Sequence, residues 1–139
     1  MKVVIDASAI IAVALEEDDA ALVAATRRTL RDADQFAPAI MPVEVAGAIA
    51  MAEWTGRRSG EHTDFAWQLA SDIILLAELH PTTDALGLIA LCRKFRLRGA
   101  DACYLQLSID RDASLLTGDK NLARAALAAG VPLIHDPTA

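Results

Sequence analysis

Lys2-Val3-Val4-Ile5-Asp6-Ala7-Ser8 decides how this chain folds. Three consecutive apolar residues, two of them valine, run into an acid and then a serine, as in a strand that is buried on both faces and ends in a turn. Such a strand sits in a parallel sheet, whose members are joined by helical crossovers. The rest of the chain has that alternation. A short apolar helix over Ala9 to Leu15 precedes an acidic break at Glu16 to Asp19, a helix from Ala20 to about Arg31 and a loop over Asp32 to Gln35. Phe36 to Ile40 reads as a second strand, and Pro42 suits the first turn of a helix that continues to Trp54. Gly56-Arg57-Arg58-Ser59-Gly60 breaks it, and Glu61 to Leu76 forms another, with Phe65, Leu69, Ile73 and Leu76 at three- and four-residue steps. A short strand around Leu79 follows. Pro81-Thr82-Thr83 then introduces a helix from Asp84 to about Arg96, and Gly99 separates it from one beginning at Asp101. Ala113 to Thr117 reads as a strand, Asp119 to Ala128 as a helix stopped by Gly130, and Val131 to Ile134 as a final strand.

This order predicts one folded unit over residues 1–139, an α/β protein whose parallel sheet carries helices on both faces. Ligands of open sheets bind beyond the carboxyl ends of the strands. Asp6 and Asp119 follow strands directly at that edge. Glu44 lies in the first turn of the helix that leaves the second strand. Asp101 opens a helix that runs back to the start of the Ala113 strand, so it begins at the same edge. Carboxylates from remote segments are therefore expected in one region.

Composition narrows the chemistry. Hydrophobic residues make up 54% of the chain and charged residues 23%, which excludes disorder. No apolar stretch approaches the roughly 18 residues of a membrane-spanning helix. Asp6 interrupts a start that could otherwise imitate a signal peptide, so a cytoplasmic address is expected. A net charge of −6 argues against coating nucleic acid through bulk charge and leaves room only for a local basic patch. Cys92 and Cys103 are too few for a disulfide framework and lack zinc-ligand spacing, so they read as buried thiols.

Each acid alone is explained by helix capping. Their grouping is not. At 4 Å two like charges repel by about 1 kcal/mol in water and about 4 kcal/mol at an effective dielectric constant of 20, so several in one cleft need a counter-charge. A divalent cation supplies it, and oxygen donors without histidine or cysteine favour magnesium or manganese over zinc.

Val4-Ile5-Asp6-Ala7-Ser8-Ala9-Ile10, Pro42-Val43-Glu44-Val45, Gly99-Ala100-Asp101-Ala102-Cys103-Tyr104-Leu105, and Leu115-Leu116-Thr117-Gly118-Asp119 followed by Leu122 resemble the ordered motifs of PIN-domain nucleases. The similarity runs most nearly to the VapC toxins of bacterial toxin–antitoxin pairs and covers essentially the whole chain. It implies a three-layer α/β/α fold with a central, mostly parallel sheet. It also implies magnesium-dependent endoribonuclease activity, with manganese as an alternative ion, leaving a 5′ phosphate and a 3′ hydroxyl. The metal ligands carry over to Asp6 and Asp101, while Glu44 and Asp119 match acids that bind directly, through water or by orienting the nucleophile. Ser8 and Thr117 match hydroxyl positions that, with Asn121, support the ligands from behind. Asn121 stands where some relatives have a further acid, which bears on a second ion. Gly118 stands where alanine is also common, and is expected only to loosen the turn. A homodimer and a cognate VapB antitoxin, its extended tail in a groove near the acids, are implied as well.

Arg93, Lys94, Arg96 and Arg98 precede Asp101, and Lys120 and Arg124 follow Asp119, so both groups can rim the acids and meet an RNA backbone. Their plain alternative is solvated faces and helix C-terminal charges. Arg57 and Arg58 read as a solvated loop. Trp54, Phe65 and Trp67 read as packing between helices, with an interface as the rival. Two other functions compete. A haloacid-dehalogenase-like phosphohydrolase would use Asp6 as nucleophile but needs a second aspartate where Ser8 stands. A catalytically silent PIN-like module binding RNA or a protein partner would keep the fold, and the acidic set counts against it.

Overall fold

The computed structural model describes residues 1–139. Its elements, in chain order, are β1 (Lys2–Ile5), α1 (Ala7–Ala14), α2 (Ala20–Asp32), β2 (Asp34–Pro38), α3 (Met41–Trp54), α4 (Gly60–Ile74), β3 (Glu78–His80), α5 (Ala85–Phe95), α6 (Gly99–Arg111), β4 (Ser114–Leu116) and α7 (Lys120–Ala128). The four strands form one sheet in the order β3-β2-β1-β4, and every pairing is parallel. Val3, Val4 and Ile5 are all buried, as the unbroken apolar run of a central strand requires.

The strand order creates the place for a site. The chain steps outward from β1 to β2 to β3, then returns to lay β4 on the far side of β1. Helix α1 packs with α2, α3 and α4, and α6 with α5 and α7, so helices cover both faces of the sheet in three layers, as the right-handed rule for parallel crossovers leads one to expect. At the reversal, between β1 and β4, the outgoing connections diverge and open a crevice beyond the strands' carboxyl ends. Asp6 and Ser8 follow β1, and Thr117 to Asp119 follow β4.

A single cluster of 32 buried apolar residues joins the sheet to both helical layers. Ala-rich α1 is buried along most of its length, close enough to α2, α3 and α4 to form the centre of its layer. Asp19, Ser59, Asp84 and Asp119 accept backbone N–H bonds in the first turns of α2, α4, α5 and α7.

Several boundaries differ from the sequence expectations. Helix α1 begins at Ala7 rather than Ala9, and α6 at Gly99, so Asp101 lies inside its first turn. Asp34 and Gln35 belong to β2, because Lys2 pairs with Asp34 and Val3 with Gln35. Val131 to Ile134 is not a strand. It runs beside β4 with a single bridge, Leu115 to Leu133, and Pro132 has no N–H with which to extend the ladder. Trp54 and Phe65 are 81% and 62% exposed and do not pack between helices, and Trp67 is also exposed. Arg58 is no solvated loop residue: its guanidinium donates to the Leu15 carbonyl at 3.0 Å, tying the α3–α4 turn to the end of α1.

Candidate active site

Asp6 stands where α1 starts, yet its side chain makes no capping bond. It is buried, and one oxygen, Oδ2, accepts hydrogen bonds from Ser8 Oγ at 2.5 Å and Thr117 Oγ1 at 2.8 Å. Both hydroxyls are oriented by the backbone. Gly118 N–H donates to Ser8 Oγ at 2.9 Å and Asp119 N–H to Thr117 Oγ1 at 3.0 Å, so the single proton of each hydroxyl is directed at the carboxylate. Asp6 Oδ1 has no protein partner.

The other acids are held in related ways. Glu44, half-buried in the first turn of α3, accepts the Tyr104 hydroxyl on Oε1 at 2.7 Å. Asp119 accepts the Leu122 N–H on Oδ1 at 2.8 Å, so it caps α7 as its position suggested. In each of these three acids one oxygen is fixed by a protein donor and the other is without one. Asp101, half-buried in the first turn of α6, has no such bond. None of the four is in a salt bridge; the ion pairs of the chain are Arg31 with Asp32 and His80 with Glu78.

Electrostatics show that the acids share one region. Burial pushes the Asp6 carboxyl above its ordinary range, the Ser8 and Thr117 bonds oppose this, and the charges of Glu44 and Asp119 add to it. Burial likewise raises Glu44, against the Tyr104 bond, with Asp101 pushing the same way. Asp101 is raised by burial and by Asp119 and Asp6, and Arg98 pulls it down. Burial also holds the Tyr104 hydroxyl far above its usual range, reinforced by the Asp6 charge and the bond to Glu44.

Of the basic residues, Arg96 and Arg98 line a cavity of about 230 Å³ together with Leu97, Asp101, Asp119 and Asn121. Leu97 is buried between them, so the α5–α6 turn anchors on its middle residue and turns both arginines outward. Arg93 and Lys94 are exposed in the last turn of α5 and do not line this cavity, and neither does Lys120. Lys94 Nζ lies 5.3 Å from the Phe95 ring centroid. Asn121 Oδ1 accepts from Arg124 at 3.3 Å. Gly118 does more than loosen a turn: a Cβ there would lie 2.6 Å from Leu22 Cδ2, so any larger residue would force the buried Leu22 to shift.

The sequence reading missed Tyr104 and had it only as a helix residue. The available signal was a tyrosine three residues after Asp101 on a face otherwise built of alanine and leucine, where a buried hydroxyl needs a partner.

An all-parallel open sheet with acids gathered at its switch point defines an α/β protein of the class that binds its ligand at the strands' carboxyl edge. The PIN domain family model matches residues 3–127, and the chain belongs to the PIN domain family. PIN domains are generally a nuclease fold, and their nucleases generally use a divalent metal. The crystal structure of PAE2754 from Pyrobaculum aerophilum is similar in fold, with a TM-score of 0.70 at 16% identity over 90% of this chain and 79% of that one. No curated protein sequence matches the chain significantly.

Proposed function

We propose that this chain is a magnesium-dependent endoribonuclease, the toxin of a type II toxin–antitoxin system of the VapC kind, acting in the cytoplasm. One observation carries the reading. Four carboxylates from remote segments gather at the sheet's switch point, burial raises three of them with the charges of neighbouring acids adding to it, and no cationic side chain is ion-paired with any.

The all-oxygen donor set fits magnesium, or manganese. Asp6 and Asp101 would hold the ion, with Glu44 and Asp119 binding it directly, through water, or orienting the attacking water. No three acidic side chains converge tightly enough to enclose an ion by themselves. Magnesium keeps several waters and takes only one or two carboxylates, so in this reading Asp6 and Asp101 are its direct ligands. Once bound, such an ion polarises a phosphoryl oxygen and lowers the pKa of a coordinated water. The chain's own residues do the rest. Ser8 and Thr117 hold Asp6 in one orientation, and Asn121 lines the same cavity as Asp101 and Asp119. Arg96 and Arg98 offset the phosphodiester charge beside Asp101, and Arg93, Lys94 and Lys120 extend the positive field for an approaching RNA. Hydrolysis leaves a 5′ phosphate and a 3′ hydroxyl.

The same reading gives the chain a homodimeric state and a VapB-type antitoxin. It is supported by the exposed Trp54 and Phe65 and by a cavity of about 430 Å³ lined by Ile11, Glu17, Ala48, Met51, Thr55 and Arg57 between α1 and α3. Such a surface accepts the side chains of an extended or helical peptide.

The test uses purified, antitoxin-free protein with cellular RNA, in magnesium, in chelator, and as Asp6→Asn or Asp101→Asn. Cleavage is expected to require the ion and to fall roughly 100-fold or more in either variant. Cleavage that persists in the variants removes the site assignment, and none under any condition favours a silent binding module.

A further inference from the structure

Tyr104 is the chain's only tyrosine, and it is fully buried. A phenol in such a place needs partners for its hydroxyl. It has two, both remote in sequence. The O–H donates to Glu44 Oε1 at 2.7 Å, and the oxygen accepts the Ala7 N–H at 3.3 Å. Ala7 is the residue after Asp6. Asp101 lies three residues before Tyr104, on the same face of α6. One phenol therefore touches Glu44 itself, the peptide next to Asp6 and the helix that carries Asp101. Phenylalanine would fill the same space and make neither bond, so packing does not account for the hydroxyl.

We propose that Tyr104 is a positioning residue for Glu44, fixing Oε1 so that the second oxygen, Oε2, faces the ion-binding region shared with Asp6 and Asp101. This rests on the nuclease reading above. A glutamate side chain has three rotatable bonds, and the repulsion of its acidic neighbours favours turning it toward solvent. The phenol opposes that motion, and because it also grips the Ala7 peptide it sets Glu44 relative to Asp6 and not merely relative to α6.

Manganese binding to the purified chain, read from the paramagnetic resonance of free Mn²⁺, tests this without reference to RNA. The proteins compared are wild type, Tyr104→Phe, Glu44→Ala and the double variant, each at a temperature well below its own melting midpoint. Tyr104→Phe is expected to weaken binding roughly 10- to 100-fold. Glu44→Ala should weaken it at least as much, and the double variant no more than Glu44→Ala alone, since Tyr104 acts through Glu44. Wild-type affinity in Tyr104→Phe alongside a loss in Glu44→Ala overturns the positioning role and leaves the nuclease reading intact, as do losses that add in the double variant. No effect of Glu44→Ala overturns the proposal and removes Glu44 from the ligand set. A wild-type chain that binds no Mn²⁺ overturns both. If Tyr104→Phe fails to fold, the wild-type chain labelled with 3-fluorotyrosine answers instead, because its one tyrosine gives one ¹⁹F resonance. Magnesium should shift that resonance, and Glu44→Ala should abolish the shift; a shift that survives Glu44→Ala, or none in wild type, overturns the proposal.

Discussion

Arg96 closes α5 at φ 53°, in the left-handed region that costs a non-glycine residue roughly 1 kcal/mol. Glycine is the usual occupant of such a position. Arg96 lines the cavity that holds Asp101 and Asp119, and backbone strain retained beside acids is the pattern of a residue kept for its side chain. Arg96→Gly is therefore expected to leave the melting temperature unchanged or raise it by a few degrees. RNA cleavage should fall, and its dependence on salt should become shallower. Melting curves and a salt series of cleavage rates check both. A variant that melts earlier and cleaves normally contradicts the argument.

The buried acids predict an unusual response to pH. Asp6, Glu44 and Asp101 are all raised by burial above their ordinary values. A raised acid favours the fold in its protonated form. That contribution is complete below the unfolded carboxylate range and is lost as pH climbs through the raised folded-state value. In chelator, these groups should cost the chain stability between mildly acid and neutral pH. Asp6→Asn keeps acceptor capacity for Ser8 and Thr117 but removes a charge, so it should melt higher than wild type at neutral pH and show a flatter pH profile. Magnesium should stabilise wild type at neutral pH and Asp6→Asn much less. Thermal melts across pH, with and without the ion, decide this.

Among elements, α2 packs closely over the β4–α7 turn. Leu22 is buried over Gly118, and an added methyl group would have to displace its side chain. Gly118→Ala is expected to cost about 1–3 kcal/mol by overpacking. Combined with Leu22→Ala it should cost less than the two changes apart, which denaturant unfolding of all three variants measures. Local patterning made most elements readable in advance: the Val3-Val4-Ile5 run, the helix start at Asp119, and the Gly56 and Gly60 break each act within a few residues, although the cap of α5 is Asp84 rather than Pro81-Thr82-Thr83. What failed had causes further off. Asp34 and Gln35 looked like a loop because their strand character comes from pairing with Lys2 and Val3, across the sheet. Tyr104 could not be joined to Glu44 from spacing alone, since 60 residues separate them. Trp54 and Phe65 matched a buried face by type, and only the packed α3–α4 pair shows that they point outward.

For the molecule as a whole, the positions of Asp6, Glu44, Asp101 and Asp119 at one edge followed from the strand–helix alternation. The strand order did not. Nothing in the sequence says that β4 returns to the far side of β1, and that return puts Thr117 within 2.8 Å of Asp6. The pairing has a consequence in time. β1 precedes every other element of the domain, while its neighbour β4 lies beyond residue 113. On the ribosome, Asp6 must wait for almost the whole PIN domain to emerge before Thr117 and Asp119 exist, so its acidic pocket is assembled only at the end of the domain's synthesis.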